Sequence, residues 1–349
     1  WASKTSETER TVFFTKSVEG TAYETPRVIS KGSVYKTPGK GKMGGHERRA
    51  LPHLAAMGQE VHLTWSEALP DASGVRMVLA TSSDTGATFG TPQPVHSGDG
   101  AKPTFGSFAR GWGGVLACVW LDDRGGSQQP YASLRPDEAP AFSPELRVYA
   151  GQDNKGVCPC CPTAAAFGRD GTLYAAFRNI NDGYRDIAVS RLKPGESTFE
   201  GPFPVVEKQW KFDGCPHDGP SLAVIGDTIH VVWMDARSGA QRAYYASAKV
   251  ADMRFEAREL NAAGPGTQGN AKLFVDMSGN LHVVWEESLG AEAGALVGHQ
   301  HAEQKPSAGG RAVMYATMPT GQTAFGPVRA VAPKSGAFQT RPSVAATAK

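Results

Sequence analysis

The stretch IHVVW at residues 229–233 recurs as LHVVW at residues 281–285, and this repetition decides the fold. Three weaker copies also end in Trp or Phe: VHLTW at 61–65, VLACVW at 115–120 and LYAAF at 173–177. Each copy is short and rich in β-branched and aromatic residues, which is typical of a β-strand. Five related strands at a regular spacing predict a repeat protein built from small β-sheets.

The segments around these copies complete a four-strand unit. A small-residue segment suited to a crowded inner strand begins near a proline or its equivalent at 52–54, 103–105, 162–164, 220–222, 271–273 and 342–344. A third strand, a turn and a fourth strand follow, most clearly around SSDTGATF at 82–89. Six copies of four strands predict an all-β chain that forms one six-bladed β-propeller domain over residues 1–349.

The two ends of the chain contain parts of the same repeat. Residues 341–346 match an innermost strand, whereas residues 11–15 and 27–30 match the third and fourth strands of a blade. We therefore expect the last blade to be closed by both termini. We also expect this blade to lack most of one strand, or to be completed by residues outside the chain.

The composition indicates a turn-rich globular protein with no polyanionic partner. Gly and Pro number 41 and 24, charged residues make up 20%, and the net charge is +2, so we expect no nucleic-acid partner. No apolar run reaches the roughly 18 residues that a membrane span needs. The chain begins at Trp1 without a positively charged leader, so we expect a trimmed product located in the periplasm or secreted.

Two segments hold four of the five cysteines, VCPCCPT at 157–163 and GCPHDGP at 214–220. Thiolate and imidazole are the side chains that bind soft metals or carry redox chemistry. Each segment precedes a predicted innermost strand, and the two strands belong to adjacent blades. Any chemistry of this chain is therefore expected first at these two segments.

The turn SSDTGATF at 82–89 resembles the Asp-box, or BNR repeat, of the sialidase superfamily, which also uses six blades. The Cys-x-Cys-Cys-Pro-Thr motif, YRDI at 184–187 and the GCP and GP motifs at 214–220 together resemble a bacterial sialidase-like subgroup. The resemblance implies that Asp-box turns lie on one face of the propeller. Connections between blades lie on the opposite, functional face, so Asp84 is expected to stabilise its own turn.

This placement predicts a site at the mouth of the central channel, open to a metal ion or a small-molecule ligand. The predicted metal ligands are Cys158, Cys160, Cys161, Cys215 and His217, with His46, His299 and His301 as further candidates. Asp218 is expected to orient an imidazole. Other repeated or buried groups, namely His62, His230, His282 and Cys118, are expected to be structural.

Three states of the clustered cysteines stay open from the sequence: two disulfides that tie the loops together, a metal site, or a reactive thiol pair. A Cys-x-Cys-Cys motif with nearby imidazoles suits copper better than magnesium or calcium, so copper is the expected cofactor.

Two other functions also remain open. One is a glycoside hydrolase that binds a carboxylated sugar through Arg178 and Arg341, because guanidinium groups bind carboxylates in a bidentate manner. No nucleophile can be assigned for it. The other is a scaffold without chemistry, stapled by disulfides, that binds a protein partner on its loop-rich face.

Overall fold

The computed structural model describes residues 1–17, 19–20, 22–36, 52–69, 71, 73–97, 103–137, 139–264, 266–288, 310–332, 339 and 342–345. The chain forms two compact units, Trp1–Gly126 with Tyr131–Leu146 and Ser127–Pro130 with Arg147–Lys349. Both are built from antiparallel strands, and the helical residues of the described part are confined to two 3₁₀ turns, Trp112–Gly114 and Gln152–Asn154. That part contains no helix long and apolar enough to cross a bilayer.

The first unit contains most of three sheets whose strand order follows the chain. The first sheet consists of β1 (Ala2–Lys4), β2 (Glu9–Phe14) and β3 (Arg27–Ser33). The second consists of β4 (His53–Met57), β5 (Glu60–Ala68), β6 (Val75–Ser82) and β7 (Gln93–Pro94). The third consists of β8 (Thr104–Arg110), β9 (Leu116–Asp122), β10 (Gln129–Arg135) and β11 (Leu146–Arg147).

The second unit contains three four-stranded sheets of the same design. The first consists of β12 (Ala164–Phe167), β13 (Leu173–Arg178), β14 (Ile187–Leu192) and β15 (Glu200–Pro204). The next consists of β16 (Ser221–Ile225), β17 (Thr228–Asp235), β18 (Arg242–Lys249) and β19 (Glu256–Glu259). The last consists of β20 (Gln268–Val275), β21 (Leu281–Ser288), β22 (Arg311–Met318) and β23 (Arg329–Ala330).

The all-β prediction is confirmed, and six antiparallel sheets are consistent with six blades. The three-stranded sheet, β1 to β3, is the one expected to lack most of a strand, and its first strand has only three residues. Residues 342–345 are described without strand geometry, and Arg341 lies outside the described residues. Closure of the last blade by both termini, and a single domain over 1–349, therefore stay predictions.

The five Trp- or Phe-ended copies form the second strand of their sheets, as predicted. The strand β13 is buried at every residue, and the second strands carry the most deeply buried indole rings of the chain: Trp65, Trp120, Trp233 and Trp285. Three of these indoles donate a hydrogen bond to a carboxylate two residues later on the same strand: Trp120 to Asp122, Trp233 to Asp235 and Trp285 to Glu287. These three indoles thus remove a large apolar surface from water while their N–H groups keep a partner.

The groups expected to be structural have structural contacts. Oδ1 of Asp84 accepts the N–H of Thr88 at 2.8 Å, and Oδ2 accepts its hydroxyl at 2.6 Å, which closes the Asp-box turn. These hydrogen bonds hold the pKa of Asp84 below its usual range. The repeated histidines bond to hydroxyls on the neighbouring third strand: His62 to Thr81, His230 to Tyr245 and His282 to Tyr315. Cys118 is fully buried, and burial raises the pKa of its thiol.

The first strands of the second unit bring their preceding loops together. The strand β12 contacts β16, and β16 contacts β20. The faces of the sheets pack through shared apolar clusters, one of which contains Ile187 of one sheet together with Leu222 and Trp233 of the next. The loops that lead into β12 and β16 therefore end at neighbouring points of this unit.

Candidate metal centre

The first cysteine segment lies in the loop that leads into β12. Its main chain is fixed at two points: Val157 donates its N–H to the carbonyl of Gln128 at 2.7 Å, and Cys158 donates to the carbonyl of Arg178 at 3.0 Å. The side chains of Cys158, Cys160 and Cys161 are buried, with 1%, 7% and 2% exposure. The short spacing of the motif thus directs three sulfurs into one buried cluster.

The sulfurs of this cluster are close to one another and unbridged. The Sγ atom of Cys158 lies 3.6 Å from that of Cys160 and 3.5 Å from that of Cys161. A disulfide requires about 2.05 Å. None of the five cysteines of the chain, each of them described, is in a disulfide in this structure. Of the three states that the sequence left open, the two disulfides are not formed in this structure, because the sulfurs lie at non-bonded distances.

The second segment leads into β16 and meets the first through main-chain contact. A Cβ atom placed on Gly219 would lie 2.0 Å from the carbonyl oxygen of Pro162. This approach is possible only because glycine has no side chain. It brings the half-buried Cys215 and the exposed His217 beside the cluster. The sequence prediction that the two segments meet is thereby borne out within the second unit.

The five predicted ligands form two groups that share Cys160. The sulfurs of Cys158, Cys160 and Cys161 are one group, and those of Cys160 and Cys215 with a ring nitrogen of His217 are the other. Within each group the ligand atoms lie within 4.8 Å of one another. Two ligands on one ion at bond lengths of about 2.3 Å are at most about 4.6 Å apart, so both groups approach the spacing of a metal site.

Two arginines place positive charge beside the sulfurs. Arg185 donates from Nη1 to the Sγ atom of Cys158 at 3.1 Å and from Nε to the carbonyl of Phe212 at 2.7 Å. Hydrogen bonds with Cys160 and Cys161, and then the charges of Arg178 and Arg185, hold the pKa of Cys158 well below its usual range. The cluster thus favours a thiolate at Cys158, and a thiolate is the form that binds metals.

The pKa values of the other two thiols in the cluster shift in the opposite direction. Hydrogen bonds with the neighbouring sulfurs raise the pKa of Cys160, and burial raises the pKa of Cys161. Because these sulfurs are so close, a negative charge on one disfavours a second charge nearby. A bound cation removes that penalty, since it offsets the charge of the ligands that surround it.

Arg178, a predicted substrate clamp, has another role in the structure. Its side chain is 1% exposed, and it donates to the main-chain carbonyls of Arg185, Asp218 and Met234 at 2.7 to 3.2 Å. The guanidinium therefore ties three chain segments together around the cysteine cluster. This arrangement does not favour Arg178 as a carboxylate ligand. Arg341, its proposed partner, lies outside the described residues.

Asp218 also differs in role from the sequence expectation. Oδ2 of its carboxylate accepts the main-chain N–H of Asn270 at 2.7 Å, so the carboxylate is directed at β20 instead of at an imidazole. Its Oδ1 is buried and has no hydrogen-bond partner within the described part of the chain. Burial raises the pKa of this carboxyl group.

Three further candidate ligands, His46, His299 and His301, lie outside the described residues, and their roles stay predictions. Sequence reasoning missed Arg185 as a partner of Cys158, and it missed Gly219 as the point of contact between the segments. Both residues belong to motifs that the sequence analysis had singled out. Arg185 belongs to the YRDI motif at 184–187, and Gly219 to the GP pair of the second cysteine segment.

Solved structures share features of this fold with little sequence identity. A protein of unknown function from Dyadobacter fermentans matches with a TM-score of 0.55 and 11% identity, over 81% of this chain and 82% of its own. A polysaccharide lyase of family PL25, an ulvan lyase, matches with a TM-score of 0.49 and 13% identity over 83% and 72%. The NanB sialidase from Streptococcus pneumoniae matches with 0.38 and 13% over 64% and 32%.

Of these three, the Dyadobacter protein alone exceeds a TM-score of 0.5, and its 11% identity shows a shared fold and nothing about activity. No family model and no curated protein matches the sequence.

Proposed function

We propose that this chain binds a soft transition-metal ion, copper(I) in the first instance, through the sulfurs of Cys158, Cys160 and Cys161. The observation that carries the proposal is the cluster of three buried, unbridged sulfurs with separations of 3.5 and 3.6 Å. A three-coordinate ion with metal–sulfur bonds of about 2.3 Å has its ligand sulfurs about 4.0 Å apart. Small rotations of the side chains are enough to reach that spacing.

The donor set and its surroundings favour copper(I) over other ions. Thiolates select soft ions, and the buried group contributes three sulfurs and no carboxylate. Copper(I) accepts three thiolate ligands, whereas a structural zinc ion takes four. Three thiolates with one monovalent ion leave two net negative charges, and Arg178 and Arg185 supply two positive charges close by.

The wider role is binding, delivery or redox chemistry of copper by a protein of the periplasm or the exterior. A six-bladed, sialidase-like propeller would place the cysteine segments at its channel mouth, where a protein partner can reach the loop-rich face. The hydrolase alternative gains no support from the described residues, because the donors of Arg178 are directed at main-chain carbonyls. No residue is assigned a catalytic role.

Metal analysis of the untagged, full-length protein tests the proposal. The protein is purified under reducing and under non-reducing conditions, and copper, zinc and free thiols are quantified per chain. We expect bound copper in the reduced wild type, with a large loss in Cys160→Ser. Cys118→Ala is the matched control, because this cysteine is fully buried in β9 and belongs to neither group of candidate ligands, so its replacement should leave the copper content unchanged.

Two results would overturn the proposal. One is reduced protein that binds no transition metal, with all thiols titrating. The other is copper retention in Cys160→Ser equal to that of Cys118→Ala. If the protein contains zinc and no copper, the proposed site stands and its ion is zinc instead of copper.

A further inference from the structure

We infer that the cysteine cluster is a dinuclear centre, with two copper(I) ions bridged by the thiolate of Cys160. The inference rests on the proposed function and extends it. An inner ion is held by Cys158, Cys160 and Cys161, and an outer ion by Cys160, Cys215 and His217. Thiolate sulfur is suited to bridging, because it keeps free lone pairs after it binds one ion.

The grouping of the ligand atoms is the first argument. The five side chains form two triplets with one common member, instead of one group of five. A single ion could therefore use one triplet and leave the others beyond bonding distance. Three ligands are sufficient for copper(I), so each triplet is complete by itself.

The contrast in burial between the two triplets is the second argument. The inner sulfurs are nearly inaccessible, with 1%, 7% and 2% exposure. Cys215 is half-buried and His217 is exposed. The outer triplet is thus the part of the cluster that solvent reaches, and an incoming ion meets it first. Cys160 belongs to both positions, which gives an ion a continuous path from the outer position to the inner one.

The backbone at His217 is the third argument. Its φ angle is +54°, in the left-handed region that is unfavourable for most residues with a side chain. The conformation places a ring nitrogen of His217 within 4.8 Å of the sulfurs of Cys160 and Cys215.

Charge allows both positions to be filled. Three thiolates with one monovalent ion carry two net negative charges, and four thiolates with two monovalent ions also carry two. Arg178 and Arg185 supply two positive charges near the cluster in either case.

Titration of the reduced, full-length protein with copper(I) in competition with a chromogenic chelator tests the inference. We expect two copper(I) ions per chain in the wild type and in the control Cys118→Ala. We expect one ion in Cys215→Ser and one in His217→Asn, because each removes a ligand of the outer position alone. Asn is chosen at 217 because it adopts the left-handed backbone more readily than other non-glycine residues.

X-ray absorption at the copper edge provides the second measurement. The wild type should show scattering from a neighbouring copper ion, and Cys215→Ser should lack it. The inference is overturned by a wild type that saturates at one ion, or by outer-position variants that still bind two. Saturation at one ion leaves the proposed function intact, whereas failure to bind any copper removes both.

Discussion

Gly219→Ala tests whether main-chain contact between the two cysteine segments holds the centre together. The added Cβ would lie 2.0 Å from the carbonyl oxygen of Pro162 and 2.8 and 2.9 Å from its carbonyl carbon and nitrogen. Real Cβ contacts are essentially never shorter than 3.0 Å, so the segments must separate by about 1 Å. The obstructing atoms belong to the backbone and cannot rotate away.

The magnitude follows from this overlap. Overpacking typically costs about 1 to 3 kcal/mol, and a rigid backbone contact places Gly219→Ala near the upper end, at about 3 kcal/mol. Gly90→Ala is the matched control, because its Cβ would lie 3.6 Å from the carbonyl oxygen of Thr81, an ordinary contact. A glycine replaced without clash gains about 0.4 to 1 kcal/mol from the reduced entropy of the unfolded chain.

Two assays measure the outcome: urea unfolding for the stability, and copper(I) titration for the site. Separation of Gly219 from Pro162 also moves Cys215 away from Cys160, so we expect the outer copper ion to be lost along with stability. The reasoning is refuted if Gly219→Ala is as stable as Gly90→Ala. If stability falls while two ions still bind, the contact supports the fold without positioning the ligands.

Two more predictions concern buried polar groups of the second unit. Burial lowers the pKa of His230 from 6.5 to about 4. As the pH falls, the imidazole is therefore protonated in the unfolded chain before it is protonated in the folded chain. The free energy of unfolding decreases as the pH falls from 6.5 towards 4. Between about pH 7 and pH 5 this loss is about 2 kcal/mol. The free energy of unfolding, measured at both pH values, should depend less on pH in His230→Gln than in the wild type. An equal pH dependence in the two proteins would contradict this cause. Arg178→Met should cost about 3 kcal/mol or more, because it leaves three main-chain carbonyls, two of them in buried hydrogen bonds, without their donor. A loss below about 1 kcal/mol in urea unfolding would show that water replaces the guanidinium.

The sheets were largely predictable from the sequence because each repeat has the same burial requirement. A second strand packed between two sheets needs an apolar run, and its terminal Trp or Phe marks the strand in five copies. The fourth strands are harder to locate, since β7, β11 and β23 have two residues each and leave little pattern. The N-terminal strand β1 pairs its Ala2 with Val12, a register that a three-residue segment does not reveal by itself.

The position of the site in the fold was predictable from the sequence. Segments that precede the first strands of neighbouring repeats must lie near each other, so the sequence brings Cys160 close to Cys215 without any knowledge of side chains. The directions of individual groups depend on loop paths instead. Asp218 is adjacent to His217 in the chain, yet its carboxylate bonds to the main chain of Asn270. Loop conformation of this kind has no periodic pattern from which it can be inferred.

The groups that hold the loops differ from the groups proposed to bind an ion. Arg178 fixes the loops through three carbonyls, and Gly219 permits their close approach. The cysteine sulfurs form no disulfide, so no covalent bond between them stabilises the fold. In small zinc domains the metal supplies the folding energy. Here hydrogen bonds and main-chain contacts bring the thiols together, as the proposed delivery or exchange of copper requires.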